Sequence, residues 1–273
     1  MTADEVALAV SWATAEGWNP GKFDAECFYA ADPNGFFMGK LDGQPIGCIS
    51  AVKYEGKFGF LGLYIVKQEH RGKGYGIALW KKAMEYLRGC NAALDGVVAQ
   101  QENYKKSGFV LAHRNIRYEL SKKPESISSQ KDIVSIHDVE SRSFSEYDKK
   151  HFLFERGEFL HKWLSQKNAV GRVYVSAGSI GGYGVIRKCG IGYKIGPLFA
   201  DTPDIADAIF NSLVSSTNNE PVYLDIPEVN SEAVFLVEKY SMRKVFETAR
   251  MYTEGDPGLP IKNIYGITTF ELG

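Results

Sequence analysis

The residues best suited to chemistry lie in a glycine-rich turn between an apolar run and an amphipathic segment. The turn reads Gln68-Glu69-His70-Arg71-Gly72-Lys73-Gly74-Tyr75-Gly76, and the run before it, 58–66, is typical of a buried strand. Apolar residues then recur at helical spacing over residues 77–87. Glycines let successive N–H groups point inward, and the positive end of the following helix faces the same spot. With Arg71 and Lys73 at its rim, the turn predicts a cradle for a diphosphate.

Spacing excludes two common phosphate loops. A Walker A loop needs a Lys-Ser/Thr pair after its second glycine, a dinucleotide fingerprint needs Gly-x-Gly-x-x-Gly, and the glycines at 72, 74 and 76 fit neither. The string Arg71-x-x-Gly74-x-Gly76 instead resembles the acetyl-CoA pyrophosphate loop of the GNAT acetyltransferase superfamily. Downstream of an expected strand, 93–99, the string from Tyr104 to Gly108-Phe109 resembles the Tyr-x-x-x-Gly-Phe ending of the family's fourth helix.

The resemblance implies a set of site residues and a cofactor. Around the diphosphate of acetyl-CoA it implies Arg71, Gly72, Lys73, Gly74, Tyr75, Gly76 and Ile77. For the pantetheine arm and the thioester carbonyl it implies main-chain groups of Tyr64, Ile65 and Val66. Tyr104 matches the family tyrosine near the cofactor sulfur and is the candidate acid for the departing thiolate. One departure is Val97, which stands where the family has Asn, so the fourth helix must begin late, at residue 100 or 101.

The second half of the chain resembles a degenerate copy of the first. The strand-like run 222–226 leads into Asn230-x-x-Ala233-x-x-Leu236, which resembles a GNAT helix motif with Val237 at the tyrosine position. The run 192–200 matches the strand before the cradle. It continues, however, into Asp201-Thr202-Pro203-Asp204, which lacks glycine and arginine and should repel a diphosphate. The copy is therefore expected to keep the fold and to have lost the site.

A polar, proline-containing segment divides the chain. We predict a catalytic GNAT domain at 1–120, a linker at 121–131, and a degenerate GNAT-like domain at 132–273 with a substrate-pocket or structural role. The fold class expected from the resemblance is α/β, with two tandem domains that each hold a mixed, mostly antiparallel sheet flanked by helices. In the first half the pattern predicts helices at 3–16, 22–31 and 74–88, and strands at 36–41, 45–54, 58–66, 93–99, 109–113 and 115–120.

Composition sets broad limits. The 273 residues carry a formal net charge of −1, which gives no sign of a nucleic-acid partner. The N-terminus lacks the layout of a signal peptide, and no apolar run approaches the length of a membrane span. The four cysteines are scattered, so buried free thiols are expected rather than disulfides or a metal site. We expect a cytoplasmic protein with no membrane partner, either monomeric or homodimeric.

The acceptor pocket and the general base are less constrained by the sequence. In a fold of this kind the pocket involves the early helices, so the candidates are Trp18, Asn19, Asp24 and Glu26. Asp24 and Glu26 would receive a cationic amine and Trp18 would stack against it, although core packing and helix capping are ordinary alternatives. For the base, Glu55 or Asp95 could act through water, and either also fits a solvated charge at a turn or rim.

Two functions remain open from the sequence. The first is an acetyl-CoA-dependent N-acetyltransferase that acts on the primary amine of a small molecule. The alternative is a non-catalytic acyl-CoA-binding sensor or scaffold whose second domain binds a partner. An intact cradle together with Tyr104 favours catalysis, because a scaffold has no chemical need for both.

Overall fold

The chain alternates strands and helices in two similar halves. The computed structural model describes residues 1–123 and 132–273, so most of the expected linker lies outside the described residues. The first half contains α1 (Ala3–Ala15), α2 (Asp24–Ala31), β1 (Phe36–Leu41), β2 (Gln44–Tyr54), β3 (Phe58–Val66), α3 (Tyr75–Tyr86), β4 (Asn91–Val97), α4 (Gln101–Lys106) and β5 (Val110–Leu120). The second half contains β6 (Ile133–Ser135), α5 (Ser141–Phe152), α6 (Gly157–Ser165), β7 (Val170–Ser176), β8 (Ser179–Lys188), β9 (Tyr193–Ala200), α7 (Pro203–Ser215), β10 (Val222–Pro227), α8 (Ser231–Lys239), β11 (Arg243–Tyr252) and β12 (Ile264–Gly266).

Two local predictions were wrong in detail. The strands expected at 109–113 and 115–120 form the single strand β5, because its neighbour β11 continues the pairing through the expected break at Arg114. The strand expected at 93–99 ends at Val97 and gives way to a single 3₁₀ turn, Val98–Gln100. α4 therefore begins at Gln101, late as expected.

The strands form one sheet whose order crosses between the two halves. The order is β1-β2-β3-β4-β11-β5-β10-β9-β8-β7-β6, and β12 pairs with β9. Strand β11, from the second half, lies between β4 and β5 and is antiparallel to both. In return β5 pairs with β10 of the second half. Each half thus contributes its last long strand to the sheet of the other.

The expected fold class is confirmed. Among the described strands only β3–β4 and β9–β10 pair in parallel, and the other pairings are antiparallel. The order β9-α7-β10-α8-β11 repeats β3-α3-β4-α4-β5. Helix α7 begins as the sequence predicts, with the Thr202 side chain accepting the N–H of Ile205 and Pro203 at the first helical position. All four cysteines are free and buried.

Buried ion pairs cross the boundary between the halves. Arg250 of β11 donates to both carboxylate oxygens of Asp95 in β4, at 2.9 and 2.6 Å. Arg117 of β5 binds both oxygens of Asp225 in β10, at 2.7 and 2.8 Å. A third pair joins Asp24 of α2 to Arg187 of β8. None of the helices in the described ranges is long and apolar enough to cross a membrane.

Replacing Arg250 tests how strongly the exchanged strand depends on its ion pair. Arg250→Ala leaves the Asp95 carboxylate buried without its cation, so we expect a loss of about 3–5 kcal/mol in the free energy of unfolding. The control is Arg243→Ala in the same strand, whose exposed pair with Glu119 should contribute about 0–1 kcal/mol. Urea unfolding of both variants measures the difference. Equal losses would contradict the structural role given to the buried pair.

Candidate functional site

The site begins where two parallel strands separate. β3 and β4 pair only from Phe58 and Asn91 to Leu61 and Leu94. Beyond that point β3 changes register against β2, and Leu63 adopts a left-handed backbone with φ of 45°. A bulge of this kind bends a strand away from its neighbour. The main-chain groups of β3 that face β4 beyond Leu61 therefore have no strand partner on that side.

A cavity of about 1030 Å³ fills the fork and draws its walls from both halves. The first half contributes, among others, Trp18, Tyr64, Ile65, Val66, Trp80 and Tyr104. The second half contributes Phe246, Thr248, Phe270 and Glu271. The sequence predicted most of the first set and none of the second, because nothing local indicates that β11 and the C-terminal segment come to lie beside β4.

The glycine-rich turn forms the cradle at one end of this cavity. Gly72 and Gly74 have φ of 74° and 85°, a left-handed backbone that side chains other than glycine rarely adopt. Gly74 precedes α3 without a side-chain cap, so the N–H groups of residues 75–77 have no intrahelical partner. Gly76 is needed for space, since a Cβ there would lie 2.7 Å from the Tyr64 hydroxyl. Free N–H groups and the helix dipole make this end an anion site.

The charged side chains of the turn are held in different ways. The Arg71 Nε donates to the Val66 carbonyl at 2.8 Å, and the guanidinium pairs with Glu16 at 2.5 Å. Both Arg71 and Glu16 line the cavity. Lys73 instead donates to the Glu69 carbonyl at 2.9 Å and is not among the lining residues. His70 also lines the cavity, and its buried Nδ1 has no hydrogen-bond partner in the described part of the chain.

Tyr104 lies against the wall formed by α3 and β4. Its ring stacks on Trp80 with centroids 5.7 Å apart, and it packs over Gly96, where a Cβ would lie 2.3 Å from the ring. Burial, with a smaller contribution from Tyr64, raises the pKa of Tyr104 to about 12. The hydroxyl therefore keeps its proton at neutral pH and is able to donate it.

The four residues expected at the acceptor pocket are not brought together. Trp18 lines the cavity, whereas the side chain of Asn19 bonds both main-chain groups of Ile191, with its amide on the carbonyl and its oxygen on the N–H. Asp24 is fully buried, is paired with Arg187 and does not line the cavity. Glu26 is exposed on α2, also outside the lining. The geometry thus gives Asp24 and Glu26 no contact with the proposed acceptor.

Neither acid considered as a general base has free oxygens in the cavity. Glu55 lies outside it, where it accepts the Glu155 N–H at 2.9 Å and pairs with Lys149. Asp95 does line the cavity, but Arg250 engages both of its oxygens and the Asn115 amide engages one of them.

The opposite end of the cavity is aromatic and acidic. Phe246 and Phe270 lie with ring centroids 6.0 Å apart, and the Arg117 guanidinium lies over both rings at 5.8 and 4.8 Å. The main chain of Glu271 packs directly on β3, since a Cβ at Gly62 would lie 2.2 Å from the Glu271 carbonyl oxygen. The C-terminal segment therefore lies at the fork itself.

Family models match both halves. The acetyltransferase (GNAT) family model matches residues 5–109, and a second model, of an acetyltransferase (GNAT) domain, matches residues 144–266. The chain belongs to the GNAT acetyltransferase family and carries two GNAT domains in tandem. The predicted family, tandem arrangement and acyltransferase class are confirmed.

Individual proteins resemble the chain over its whole length. It is 30% identical over 275 residues to the holothin acyltransferase of Pseudoalteromonas sp. (strain SANK 73390), covering 99% of this chain and 92% of that protein. A putative acetyltransferase from Pyrococcus horikoshii has a similar structure, with a TM-score of 0.85, 25% identity, and coverage of 100% of this chain and 94% of that one. A tandem GNAT protein from the clavulanic acid biosynthesis pathway shares the fold at 11% identity, with a TM-score of 0.63 over 92% of this chain and 96% of that one.

The packing of Tyr104 on Gly96 can be tested by adding one methyl group. Gly96→Ala forces the new Cβ into the tyrosine ring, so we expect a loss of about 1–3 kcal/mol in the free energy of unfolding. The control is Gly157→Ala at the start of α6, where a Cβ meets no atom within 4 Å and φ is not positive. Urea unfolding compares the two. An unchanged Gly96→Ala protein would show that the ring is not confined there.

Proposed function

We propose that the protein transfers an acetyl group from acetyl-CoA to the primary amine of a small molecule. The observation that supports this proposal is that one cavity holds the cradle, the open edge of β3 and the Tyr104 hydroxyl. These are the groups needed to bind a diphosphate, hold an extended thioester arm and protonate a leaving sulfur. The relative from Pseudoalteromonas is named for acyl transfer, which agrees with the proposal.

Each part of the donor has a group suited to it. The N–H groups of Gly72, Gly76 and Ile77, which line the cavity, would bind the diphosphate, with Arg71 at the rim once a phosphate competes with Glu16 for its guanidinium. The main-chain groups of Tyr64, Ile65 and Val66 would pair with the pantetheine arm and polarise the thioester carbonyl. Tyr104 would give its proton to the departing sulfur. Lys73, Gly74 and Tyr75 would support the cradle from outside the lining.

We further propose that the two halves have different roles, one in binding the donor and the other in forming the acceptor pocket. Residues 1–120 would bind the donor, and residues 132–273 would supply the far wall of the acceptor pocket through Phe246, Thr248, Phe270 and Glu271. Trp18 lines the same cavity, and two buried cations hold the loop that carries it. Arg117 donates to the Trp18 carbonyl at 2.8 Å, and Lys194 donates to the Asn19 carbonyl at 2.9 Å. A flat, largely apolar amine fits such walls better than a highly charged one.

Donor binding is tested by thermal unfolding with and without acetyl-CoA. Ligand at about 100 times its dissociation constant should stabilise the folded protein by roughly 2.7 kcal/mol. The double variant Arg71→Glu, Gly74→Glu places two carboxylates in the cradle and should abolish the shift. Lys81→Glu, which changes an exposed charge of α3 outside the cavity lining, should retain it. Wild-type protein without a shift would contradict the proposed donor.

Catalysis is separated from mere binding by the Tyr104→Phe variant. Removing the hydroxyl should lower kcat by about 10²- to 10⁴-fold, because the leaving sulfur loses its proton donor, while the acetyl-CoA shift stays intact. Tyr174→Phe, at a half-buried tyrosine of β7, is the matched control. The readout is thiol release with a panel of small primary amines. Unchanged turnover in Tyr104→Phe would remove the tyrosine from the mechanism. An acetyl-CoA shift without thiol release in wild-type protein would favour the sensor or scaffold.

A further inference from the structure

The C-terminal segment holds the Glu271 side chain in a fixed place beside the fork. The Thr269 hydroxyl accepts the N–H groups of Glu271 and Leu272, at 3.1 and 2.9 Å. The Tyr54 hydroxyl donates to the Leu272 carbonyl at 3.0 Å and ties the segment to β2. Together with the close contact at Gly62, these bonds set the position of the Glu271 backbone relative to β3.

The Glu271 carboxyl group is buried yet open to the cavity. The residue is only 4% exposed and belongs to the cavity lining. No hydrogen bond to either carboxylate oxygen is found among residues 1–123 and 132–273, and neither oxygen is sealed from solvent. Buried carboxylates normally accept hydrogen bonds, because an unpaired one costs stability. Its free oxygens therefore indicate that Glu271 interacts with a ligand that enters the cavity.

The surrounding charges leave Glu271 without a direct partner. The charges that act most on its pKa come from four elements: Lys194 of β9, Asp24 of α2, Arg117 of β5 and Arg187 of β8. Three of them are engaged elsewhere, Arg117 by Asp225, Arg187 by Asp24, and Lys194 by the Asn19 carbonyl. Burial raises the pKa of Glu271, and the positive charge of Lys194 only partly opposes this. The carboxyl group is thereby moved toward the range in which a base accepts and returns protons.

Comparison with the other carboxylates of the cavity singles out Glu271. Three acids line it within the described residues: Glu16, Asp95 and Glu271. Glu16 pairs with Arg71 at the cradle, and both oxygens of Asp95 bind Arg250. Within the described part of the chain, Glu271 is the one of these three with no hydrogen bond to either oxygen.

We propose that Glu271, supplied by the C-terminal segment of the second domain, accepts the proton of the attacking amine. This inference rests on the proposed acetyl transfer. The lone pair of the neutral amine forms the C–N bond, and the C–S bond of the thioester breaks. One nitrogen proton passes to Glu271, and the sulfur takes the proton of Tyr104. Proton exchange with solvent in the cavity then returns both side chains to their starting states. The substrate is thus a primary amine that binds in the cavity beside the Glu271 carboxylate.

The test compares wild-type protein with Glu271→Gln, Glu271→Asp and the exposed control Glu238→Gln. Each full-length variant is mixed with acetyl-CoA and a panel of small primary amines, and with water as sole acceptor, while thiol release is followed from about pH 5 to pH 9. At neutral pH Glu271→Gln should be slower by about 10²- to 10⁴-fold, with its acetyl-CoA thermal shift retained. The rate of Glu271→Asp should lie between those of wild type and Glu271→Gln, and the rate of Glu238→Gln should match that of wild type.

The pH profile distinguishes a proton acceptor from a structural carboxylate. A protonated carboxyl group cannot accept the amine proton, so the wild-type rate should fall as the pH drops through the raised pKa of Glu271. Glu271→Gln should lack this limb and gain rate as the free amine increases with pH. A Gln variant as fast as wild type, or one that loses the rate together with the thermal shift, would overturn the proposal. Wild-type protein that binds acetyl-CoA but releases no thiol to any acceptor would also overturn it, whereas absence of the shift itself would mark failure of the proposed donor.

Discussion

The structure depends on the insertion of β11 between β4 and β5. Without it, β4 and β5 would each lose a neighbour, since β4 pairs otherwise with β3 over four residues only. The buried Asp95–Arg250 pair accompanies this insertion, and burial is tolerated because both oxygens of the acid are engaged. The two halves therefore form one sheet, and the fork that opens between β3 and β4 is bounded by β11 of the other half. The exchange therefore supplies one wall of the site.

A layer of buried charge connects the exchanged strands to the site. Arg117 binds Asp225 across β5 and β10, donates to the Trp18 carbonyl and lies over the rings of Phe246 and Phe270. One side chain thus contacts three residues of the cavity lining. Buried pairs of this kind give little net stability, but they fix geometry, because a shift of either partner leaves a charge uncompensated. The same layer surrounds Glu271 with cations that are already engaged, which leaves its carboxyl group for the cavity.

Local sequence determined what could be predicted, and long-range packing determined what could not. The cradle was predictable because Gly72, Gly74 and the N-terminus of α3 are adjacent in the chain, and each conformation depends only on its neighbours. The late start of α4 was predictable for the same reason, because Val97, which stands where the family has Asn, is close to α4 in the chain. Glu16 and Glu271 had no local signal, since they reach the cavity through contacts with Arg71 and Gly62, 55 residues away in the first case. Asp24 is an acid of the kind expected to bind a cationic amine, yet its side chain pairs with Arg187, which is 163 residues away in the chain.

The turn that follows β9 in the second half differs from the cradle that follows β3 in the first half. At the start of α7 the Thr202 side chain caps the helix, and the Tyr147 hydroxyl donates to the Asp201 carboxylate at 2.9 Å, so side chains of the protein engage polar groups of this turn. The second half has no glycine with a left-handed backbone at residues 201–204, and the carboxylates of Asp201 and Asp204 there disfavour an anion. Its strands nevertheless belong to the shared sheet, since β10 and β11 lie on either side of β5. The second half thus contributes a neighbouring strand, two aromatic rings and a carboxylate to a cavity whose other walls come from the first half.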